Sequence, residues 1–290
     1  MSAGLDARHV RHAFGRAAAT YEAHAVLQGE VGARLLERLD GIELEPDRVL
    51  DVGSGPGRGA NALCARFPDA IVIALDIALP MLQAAAVHTD KPPPFARVGG
   101  DAQALPFADA SLDVIHSNLC LQWCDDPGLA IAEFARVLKP GGLLLFSTFG
   151  PATLHELRDA FAAADATPHV GRFVDMHDIG DALLTTGFRD PVLERDDFTL
   201  TYADALTLMR ELRAIGATNA DAKRQRTLTG KAHLKRVVDA YETFRTDGVL
   251  PATYEVVYAQ AFAPAPGQPR RTPGGEIASF PIERLRGRRR

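Results

Sequence analysis

The chain has 290 residues, which suits one large α/β domain or a domain with a sizeable insertion. Its 47% hydrophobic and 24% charged residues are ordinary for a globular protein, and its net charge of -5 gives no global basic field of the nucleic-acid-binding kind. The sequence contains no run of about 18 apolar residues, so no membrane span is predicted. Three sparse cysteines predict neither a disulfide framework nor a zinc site. We therefore expect a cytoplasmic protein without a metal site.

The first half of the chain alternates short apolar runs with segments of helical periodicity. A helical pattern over 8–40 comes first, and Val31, Leu35 and Leu39 fall roughly on one of its faces. Strands are then predicted at 48–52, 70–76, 95–98, 112–117 and 143–148, and helices at 61–67, 81–88 and 130–138. Strands that alternate with helices indicate βαβ units and a parallel sheet, so the predicted fold class is α/β.

The pattern changes after residue 150. Helices are predicted at 151–165 and 176–187, strands at 192–201 and 253–262, and a long interrupted helical stretch at 203–246. We expect one domain over 1–263, with a helical insertion at 203–250 before the last strand. Residues 264–290 contain five prolines and an arginine-rich end, so we predict a disordered tail there.

A glycine-rich turn follows the first predicted strand. The segment Val49-Leu50-Asp51-Val52-Gly53-Ser54-Gly55-Pro56-Gly57 has the strand–turn–helix context of a nucleotide-binding loop. A dinucleotide fingerprint requires glycine or alanine at its sixth position, where this chain has Arg58. Asp51 precedes the first glycine by two residues, and a carboxylate there suits a cationic ligand such as S-adenosylmethionine.

Polar side chains also follow the next three predicted strands. Asp76 ends the second strand, where a carboxylate can accept ribose hydroxyls, although NAD-binding domains use the same device. Asp101-Ala102 follows the third strand and could receive an adenine amino group, and Asn118-Leu119 follows the fourth. Ligands bind at the carboxyl edge of such sheets, so these loops together predict one binding site.

These motifs, with Leu138-Lys139-Pro140-Gly141-Gly142, resemble the class I methyltransferase family over 48–150. The resemblance implies S-adenosyl-L-methionine as the cofactor and a Rossmann-like seven-stranded sheet whose last strand is antiparallel, a role that 253–262 can fill. The cofactor-binding residues that we expect are Asp51, Gly53, Ser54, Gly55, Gly57, Asp76, Ile77, Met81, Asp101, Ala102, Asn118, Leu119 and Gln28.

A closer resemblance, over about 8–262, is to the malonyl-[acyl-carrier protein] O-methyltransferases of biotin synthesis. The segments that carry it include Phe14-Gly15-Arg16-Ala17-Ala18-Ala19-Thr20-Tyr21, Gln122-Trp123-Cys124, His169 with Arg172-Phe173, Ile215-Gly216-Ala217-Thr218-Asn219 and Leu228-Thr229-Gly230. The resemblance implies methylation of the free carboxylate of a malonyl thioester, giving the methyl ester that primes pimeloyl synthesis. The thioester would be carried by acyl carrier protein or coenzyme A.

A carboxylate is already ionised at pH 7, so we expect no general base and look for residues that position the substrate. The candidates are Tyr21, on a possible N-terminal lid, and Arg172 and Arg210, either of which could hold the carboxylate. The basic residues expected to dock an acidic carrier protein are Lys223, Arg224, Arg226, Lys231, Lys235 and Arg236.

Three other functions remain open from the sequence. The chain could methylate another small-molecule acid, a quinone or a phenol. It could also be a non-catalytic cofactor-binding module, or an NAD-dependent oxidoreductase. We expect no nucleic-acid or membrane partner, and a monomer or weak dimer.

Overall fold

The computed structural model describes residues 4–85, 94–224, 230–264, 270–272 and 275–277. The helices are α1 (Ala7–Ala17), α2 (Tyr21–His24), α3 (Val26–Glu37), α4 (Arg58–Arg66), α5 (Leu79–Ala84), α6 (Pro127–Val137), α7 (His155–Ala162), α8 (Met176–Thr186), α9 (Ala205–Ala214) and α10 (Lys231–Tyr241). The strands are β1 (Arg48–Val52), β2 (Ile71–Asp76), β3 (Ala96–Gly99), β4 (Leu112–Asn118), β5 (Leu138–Phe149), β6 (Arg189–Tyr202), β7 (Leu250–Phe262), β8 (Arg270–Thr272) and β9 (Gly275–Ile277).

Seven strands form one sheet in the order β3-β2-β1-β4-β5-β7-β6. Strands β1 to β5 pair in parallel, whereas β7 runs antiparallel to both of its neighbours. The predicted seven-stranded class I sheet with an antiparallel last strand is therefore confirmed. Because the order reverses next to β1, the carboxyl ends of β1 and β4 flank the point where α/β sheets of this kind bind ligands.

Helices cover both faces of the sheet, and a separate apolar cluster fills each side. One cluster packs α3, α4, α7, α9 and α10 against the sheet, and the other packs α6 and α8 against it. Strand β1 is buried at every position from Val49 to Val52, as expected for a strand covered on both faces. The edge strand β6 alternates between more and less exposed side chains. This sandwich holds the loops at the carboxyl edge in fixed positions.

The predicted helical segment over 8–40 consists of three helices rather than one. Thr20 separates α1 from α2, and its hydroxyl donates to the backbone oxygens of Ala17, at 3.1 Å, and Ala214, at 2.7 Å. The second bond ties this segment to α9, in the insertion. Side-chain bonds to the backbone of this kind compete with helix continuation, which explains the break.

The insertion holds the N-terminal segment at several further points. The N–H of Asp6 donates to the oxygen of Ala220 at 2.8 Å, and the N–H of Ala222 donates to the oxygen of Gly4 at 2.7 Å. Gly216 has a φ of +83°, and a Cβ there would lie 3.0 Å from the Cα of Phe14. Only glycine therefore fits closely at this contact, and the two segments pack as one unit over the sheet edge.

The long helical stretch predicted at 203–246 is divided into α9 and α10, and a 3₁₀ turn follows at Glu242–Phe244. Most of the predicted tail lies outside the described residues, and the short strands β8 and β9 pair antiparallel within it. In the part of the chain that the structure describes, no helix has both the length and the apolar character needed to cross a bilayer.

Candidate active site

The glycine-rich turn forms a narrow cradle between β1 and α4. The N–H groups of Gly53 and Ser54 donate to the oxygen of Leu75 on β2, at 2.8 and 3.0 Å. Gly53, Gly55 and Gly57 have φ values of +69°, +55° and +90°, which L side chains rarely adopt. A Cβ on Gly53 would lie 2.5 Å from the sulfur of Cys120. All three glycines are therefore needed for the backbone conformation, and Gly53 is also needed for space.

Asp76 joins this turn to the end of β2. Its Oδ2 accepts the Gly55 N–H at 2.9 Å, and its Oδ1 accepts the Ala78 N–H at 2.7 Å. Burial raises the pKa of Asp76 to about 6. The two N–H donors oppose this rise, whereas the charge of Asp51 adds to it. Each carboxylate oxygen keeps a second lone pair for a ligand hydroxyl.

Asp51 and His116 form a buried pair on neighbouring strands. They are in register between β1 and β4, and the His116 Nδ1 lies 2.8 Å from the Asp51 Oδ1. The Asp51 Oδ2, the His116 Nε2 and the Ser54 Oγ are buried without a hydrogen-bond partner among the described residues. Buried polar atoms normally have hydrogen-bond partners, so these three atoms are suited to forming hydrogen bonds with a ligand.

Two cavities meet at the glycine turn. One has a volume of about 730 Å³ and extends along the ends of β2 and β3, and the other, of about 720 Å³, lies between the turn and α3. Both are lined by Tyr21, Gly53 and Asn118. Asp51, Ser54, His116 and Gln28 line the second cavity. The first is lined by Asp76, Ile77, Met81, Asp101, Ala102 and Leu119.

The N-terminal segment forms part of the wall of both cavities. Phe14 packs edge-to-face on Trp123 with ring centroids 5.1 Å apart, and both rings line the first cavity. Tyr21 lies beside Gly55, where the two cavities join. Burial raises the pKa of Tyr21, so its hydroxyl stays protonated at neutral pH. That this segment acts as a lid over the cofactor stays a prediction.

Comparison with known proteins gives one consistent result. A methyltransferase domain model matches residues 50–146. A malonyl-[acyl-carrier protein] O-methyltransferase of Xylella fastidiosa (strain M23) is 52% identical over 292 residues, which cover 100% of this chain and 99% of that protein. The namesake protein of Gallionella capsiferriformans (strain ES-2) is 49% identical, over 90% of this chain and 92% of that protein. The chain belongs to the malonyl-[acyl-carrier protein] O-methyltransferase family.

Solved structures agree with this at the level of the fold. The YcgJ protein of Bacillus subtilis has a TM-score of 0.56 and 19% identity, over 81% of this chain and 98% of that one. Phosphoethanolamine N-methyltransferase 2 of Haemonchus contortus has a TM-score of 0.52 and 21% identity, over 80% of this chain and 52% of that one. The domain model and the relatives named above show that this chain is an enzyme, a methyltransferase, as predicted.

The residues predicted to bind the cofactor line one or both of the two cavities, except Gly57, which lines neither. The side chains of Asn118 and Asp101 are among those that already form hydrogen bonds within the protein. The Asn118 amide donates to the oxygen of Gln28 at 2.8 Å and accepts the Ser147 hydroxyl at 2.8 Å. This side chain therefore holds α3 against β4 and β5. Asp101 accepts the Gln103 N–H at 2.9 Å, and it still lines the first cavity.

The two candidate arginines are in different environments. Arg172 is exposed and lines a third cavity of about 470 Å³ with Gln122 and Thr148, beside the turn that carries Trp123. Arg210 is also exposed, but it lines none of the three cavities described here. Its guanidinium donates to the Leu206 oxygen and the Thr207 hydroxyl, within its own helix. The structure thus brings Arg172, and not Arg210, near the cleft.

The predicted carrier-docking residues are only partly grouped. Lys223, Lys231, Lys235 and Arg236 are exposed. Arg224 is largely buried and forms an ion pair with Asp6 at 3.2 Å, so it holds the N-terminal segment. Arg226 lies outside the described residues.

Two site residues were missed by sequence reasoning. His116 is one, because its contact with Asp51 depends on the register of strands that are distant in sequence. Arg58 is the other: it lines the second cavity and donates to the Glu22 carboxylate at 2.6 Å. Its place at the first position of α4, directly after the last glycine, was an available signal.

Proposed function

We propose that this methyltransferase transfers the methyl group of S-adenosylmethionine to the free carboxylate of a malonyl thioester carried by acyl carrier protein. The product would be the methyl ester that primes pimeloyl synthesis for biotin. The observation that carries the proposal is the 52% identity to the Xylella fastidiosa relative, which extends over the whole of this chain. The match therefore includes the insertion and the lid as well as the glycine-rich turn.

The residues around the cavities fit the cofactor. The cradle at Gly53 leaves no room for a side chain, and the Asp51 Oδ2 and the Ser54 Oγ are buried atoms without partners among the described residues. When bound, S-adenosylmethionine supplies an electrophilic methyl group. Asp76 would hold the ribose hydroxyls, Asp101 the adenine amino group, and Asp51 the amino group of the methionine part.

The substrate carboxylate has a pKa of about 4 in water, so it is ionised at pH 7 and needs no general base. The enzyme has to orient this anion and to exclude water, since charge on both reactants diminishes in the transition state. Phe14, Trp123 and Leu119 give the cavity an apolar wall, and Tyr21 presents a protonated hydroxyl at the junction of the cavities.

An arginine that binds the carboxylate serves specificity more than rate, because the contact weakens as the ester forms. A charged hydrogen bond of this kind contributes about 1.5–3 kcal/mol. We assign this function to Arg172, because it lines a cavity that shares Cys124 with the cofactor cavity. Arg210 packs on its own helix and is the weaker candidate.

The carrier would dock on the exposed basic residues Lys223, Lys231, Lys235 and Arg236. Acyl carrier proteins are acidic, and complementary charge raises the rate of association. The proposal includes a cytoplasmic location, as expected from the sequence. We also propose that the protein is a monomer or a weak dimer in solution, and analytical sedimentation would measure this oligomeric state.

The test is methyl transfer from labelled S-adenosylmethionine to malonyl-acyl carrier protein, malonyl-coenzyme A, malonyl-pantetheine and free malonate, with succinyl thioesters as controls. We expect strong labelling of malonyl thioesters and poor labelling of succinyl thioesters. Cofactor binding without labelling of any malonyl thioester would refute the proposal. Equal efficiency with malonyl-acyl carrier protein and with malonyl-pantetheine would refute only the part of the proposal that concerns recognition of the carrier protein.

Charge reversal separates carrier docking from chemistry. The double variant Lys231→Glu with Lys235→Glu should raise KM for malonyl-acyl carrier protein and leave KM for malonyl-pantetheine unchanged. Arg48→Glu is the matched control, because Arg48 is exposed at the start of β1, on the opposite edge of the sheet. An equal effect on both substrates would count against docking at α10.

A further inference from the structure

Two histidines and one carboxylate converge away from the cofactor cavities. Asp165 lies just after α7, His169 follows in the next loop, and His233 lies in the first turn of α10. Their side chains are 23%, 16% and 18% exposed, so the group is largely but not fully buried. None of the three lines the cavities described above. The group therefore lies outside the proposed methyl-transfer site.

The donor atoms of this group have the spacing of a metal site. The Asp165 Oδ2 lies 3.0 Å from the His169 Nε2 and 3.3 Å from the His233 Nε2. One donor atom from each residue lies within 4.8 Å of the other two. Zinc–nitrogen and zinc–oxygen distances of about 2.0–2.2 Å place neighbouring donors about 3.3 Å apart in a tetrahedron. Both contacts to the carboxylate are close to that separation.

Hydrogen bonding alone accounts for only part of this arrangement. The His169 Nε2 is within hydrogen-bond distance of both carboxylate oxygens, at 3.0 and 3.1 Å. The His233 Nε2, by contrast, is buried without a hydrogen-bond partner among the described residues, although Asp165 is close. A buried imidazole nitrogen that lies 3.3 Å from a carboxylate oxygen without a hydrogen bond to it leaves room for an ion coordinated by both groups.

The surroundings hold these ligands in place. Phe161 stacks on His169 with ring centroids 4.1 Å apart. The Thr167 N–H donates to the Asp165 Oδ1 at 2.7 Å, and the Asn219 amide donates to the oxygen of Pro168 at 2.9 Å. Contacts of this kind around metal ligands fix their orientation and strengthen metal binding.

We propose that Asp165, His169 and His233 bind one divalent transition-metal ion of the zinc type, with water completing the coordination. Two imidazoles and one carboxylate favour such an ion over Mg²⁺ or Ca²⁺, which prefer oxygen ligands. The ion would join α7 to α10 and so hold the insertion to the core. Arg236 lies 3.4 Å from the His233 Nδ1 and is exposed, so it can move aside when that nitrogen carries the proton.

The test uses the full chain after removal of any histidine tag and treatment with a chelator. Zn²⁺ is titrated against a fluorescent chelator, and the melting temperature is followed with and without Zn²⁺. We expect about one equivalent bound per chain and a higher melting temperature in its presence. Asp165→Asn and His233→Gln should each weaken binding by at least about 10–100-fold, the loss that even outer-sphere substitutions cause.

His177→Gln is the matched control, because His177 is an exposed histidine on α8 outside the group. It should bind Zn²⁺ like the original chain. Co²⁺ serves as a second probe, since a tetrahedral site gives visible absorption bands that both ligand variants should lose even if they are less stable. Absence of Zn²⁺ binding by the original chain, or equal binding by His233→Gln, would overturn the proposal.

Discussion

Cofactor binding should depend on pH through Asp76. The carboxyl group has a pKa of about 6 in the free enzyme, because burial disfavours its charged form. A carboxylate that accepts ribose hydroxyls must be ionised, so binding competes with protonation. Above pH 7 the competition is negligible, and below pH 6 the affinity should fall about tenfold per pH unit. At pH 5 we expect about a tenfold loss relative to pH 7.5, or about 1.4 kcal/mol.

Trp123 offers a direct assay, since it is the single tryptophan in the sequence and lines the cofactor cavity. Its fluorescence can be titrated with S-adenosylmethionine at several pH values. Asp76→Asn is the control: it should bind weakly at every pH and show no such dependence. A wild-type affinity that is equal at pH 5 and pH 7.5 would refute the argument, and so would the same fall in the Asp76→Asn variant.

Four further outcomes are expected. The raised pKa of Asp76 means that the charged carboxylate destabilises the fold above pH 6, whereas below pH 4 the group is protonated and has no such effect. The free energy of unfolding of Asp76→Asn, measured in urea, should therefore rise relative to wild type by up to about 3 kcal/mol between pH 4 and pH 6. A difference that stays constant with pH would contradict this. Gly53→Ala should cost about 1–2 kcal/mol for its left-handed φ and abolish cofactor binding, because its Cβ would meet Cys120; wild-type affinity would disprove the cradle. Tyr21→Phe should lower kcat/KM about tenfold with little change in melting temperature, whereas full activity would exclude a role for the hydroxyl. Glu156→Ala removes a buried carboxylate and leaves the half-buried donors of Thr253 without their acceptor, so it should cost about 1–3 kcal/mol in urea unfolding. A negligible change would show that water replaces the carboxylate.

The sheet, and the grouping of the candidate cofactor residues at one edge of it, could be predicted because their sequence signals are local. Each strand of the first half is a short apolar run, and Asp51, Asp76, Asp101 and Asn118 each lie within a strand or shortly after it. Gln28, on α3, is the exception among the predicted polar side chains. Parallel connections then bring all the strand ends to one edge, so position in the sequence is enough to group these residues. Glycines at the turn carry the same kind of signal, since their conformation depends on their immediate neighbours.

The substrate side could not be predicted in this way, because its contacts depend on how distant segments pack. Arg172 and Arg210 look alike in the sequence, yet one lines a cavity and the other bonds to its own helix. The pairing of Asp51 with His116 depends on strand register. The three cysteines indicate no metal site, and the proposed ligands Asp165, His169 and His233 are not all grouped in the sequence, so that site could not be predicted either.

The N-terminal segment and the insertion are in direct contact. Thr20 and Asp6 on the N-terminal segment bond to the backbone of Ala214 and Ala220 in the insertion, and Gly216 lies directly against Phe14. A lid held in this way cannot open alone without breaking these bonds. Movement of the N-terminal segment together with the insertion would preserve these bonds, and cofactor entry and carrier docking would then be energetically coupled. This gives a physical reason why a short segment such as 215–219 carries a family resemblance although it contributes no side chain to the described cofactor cavities.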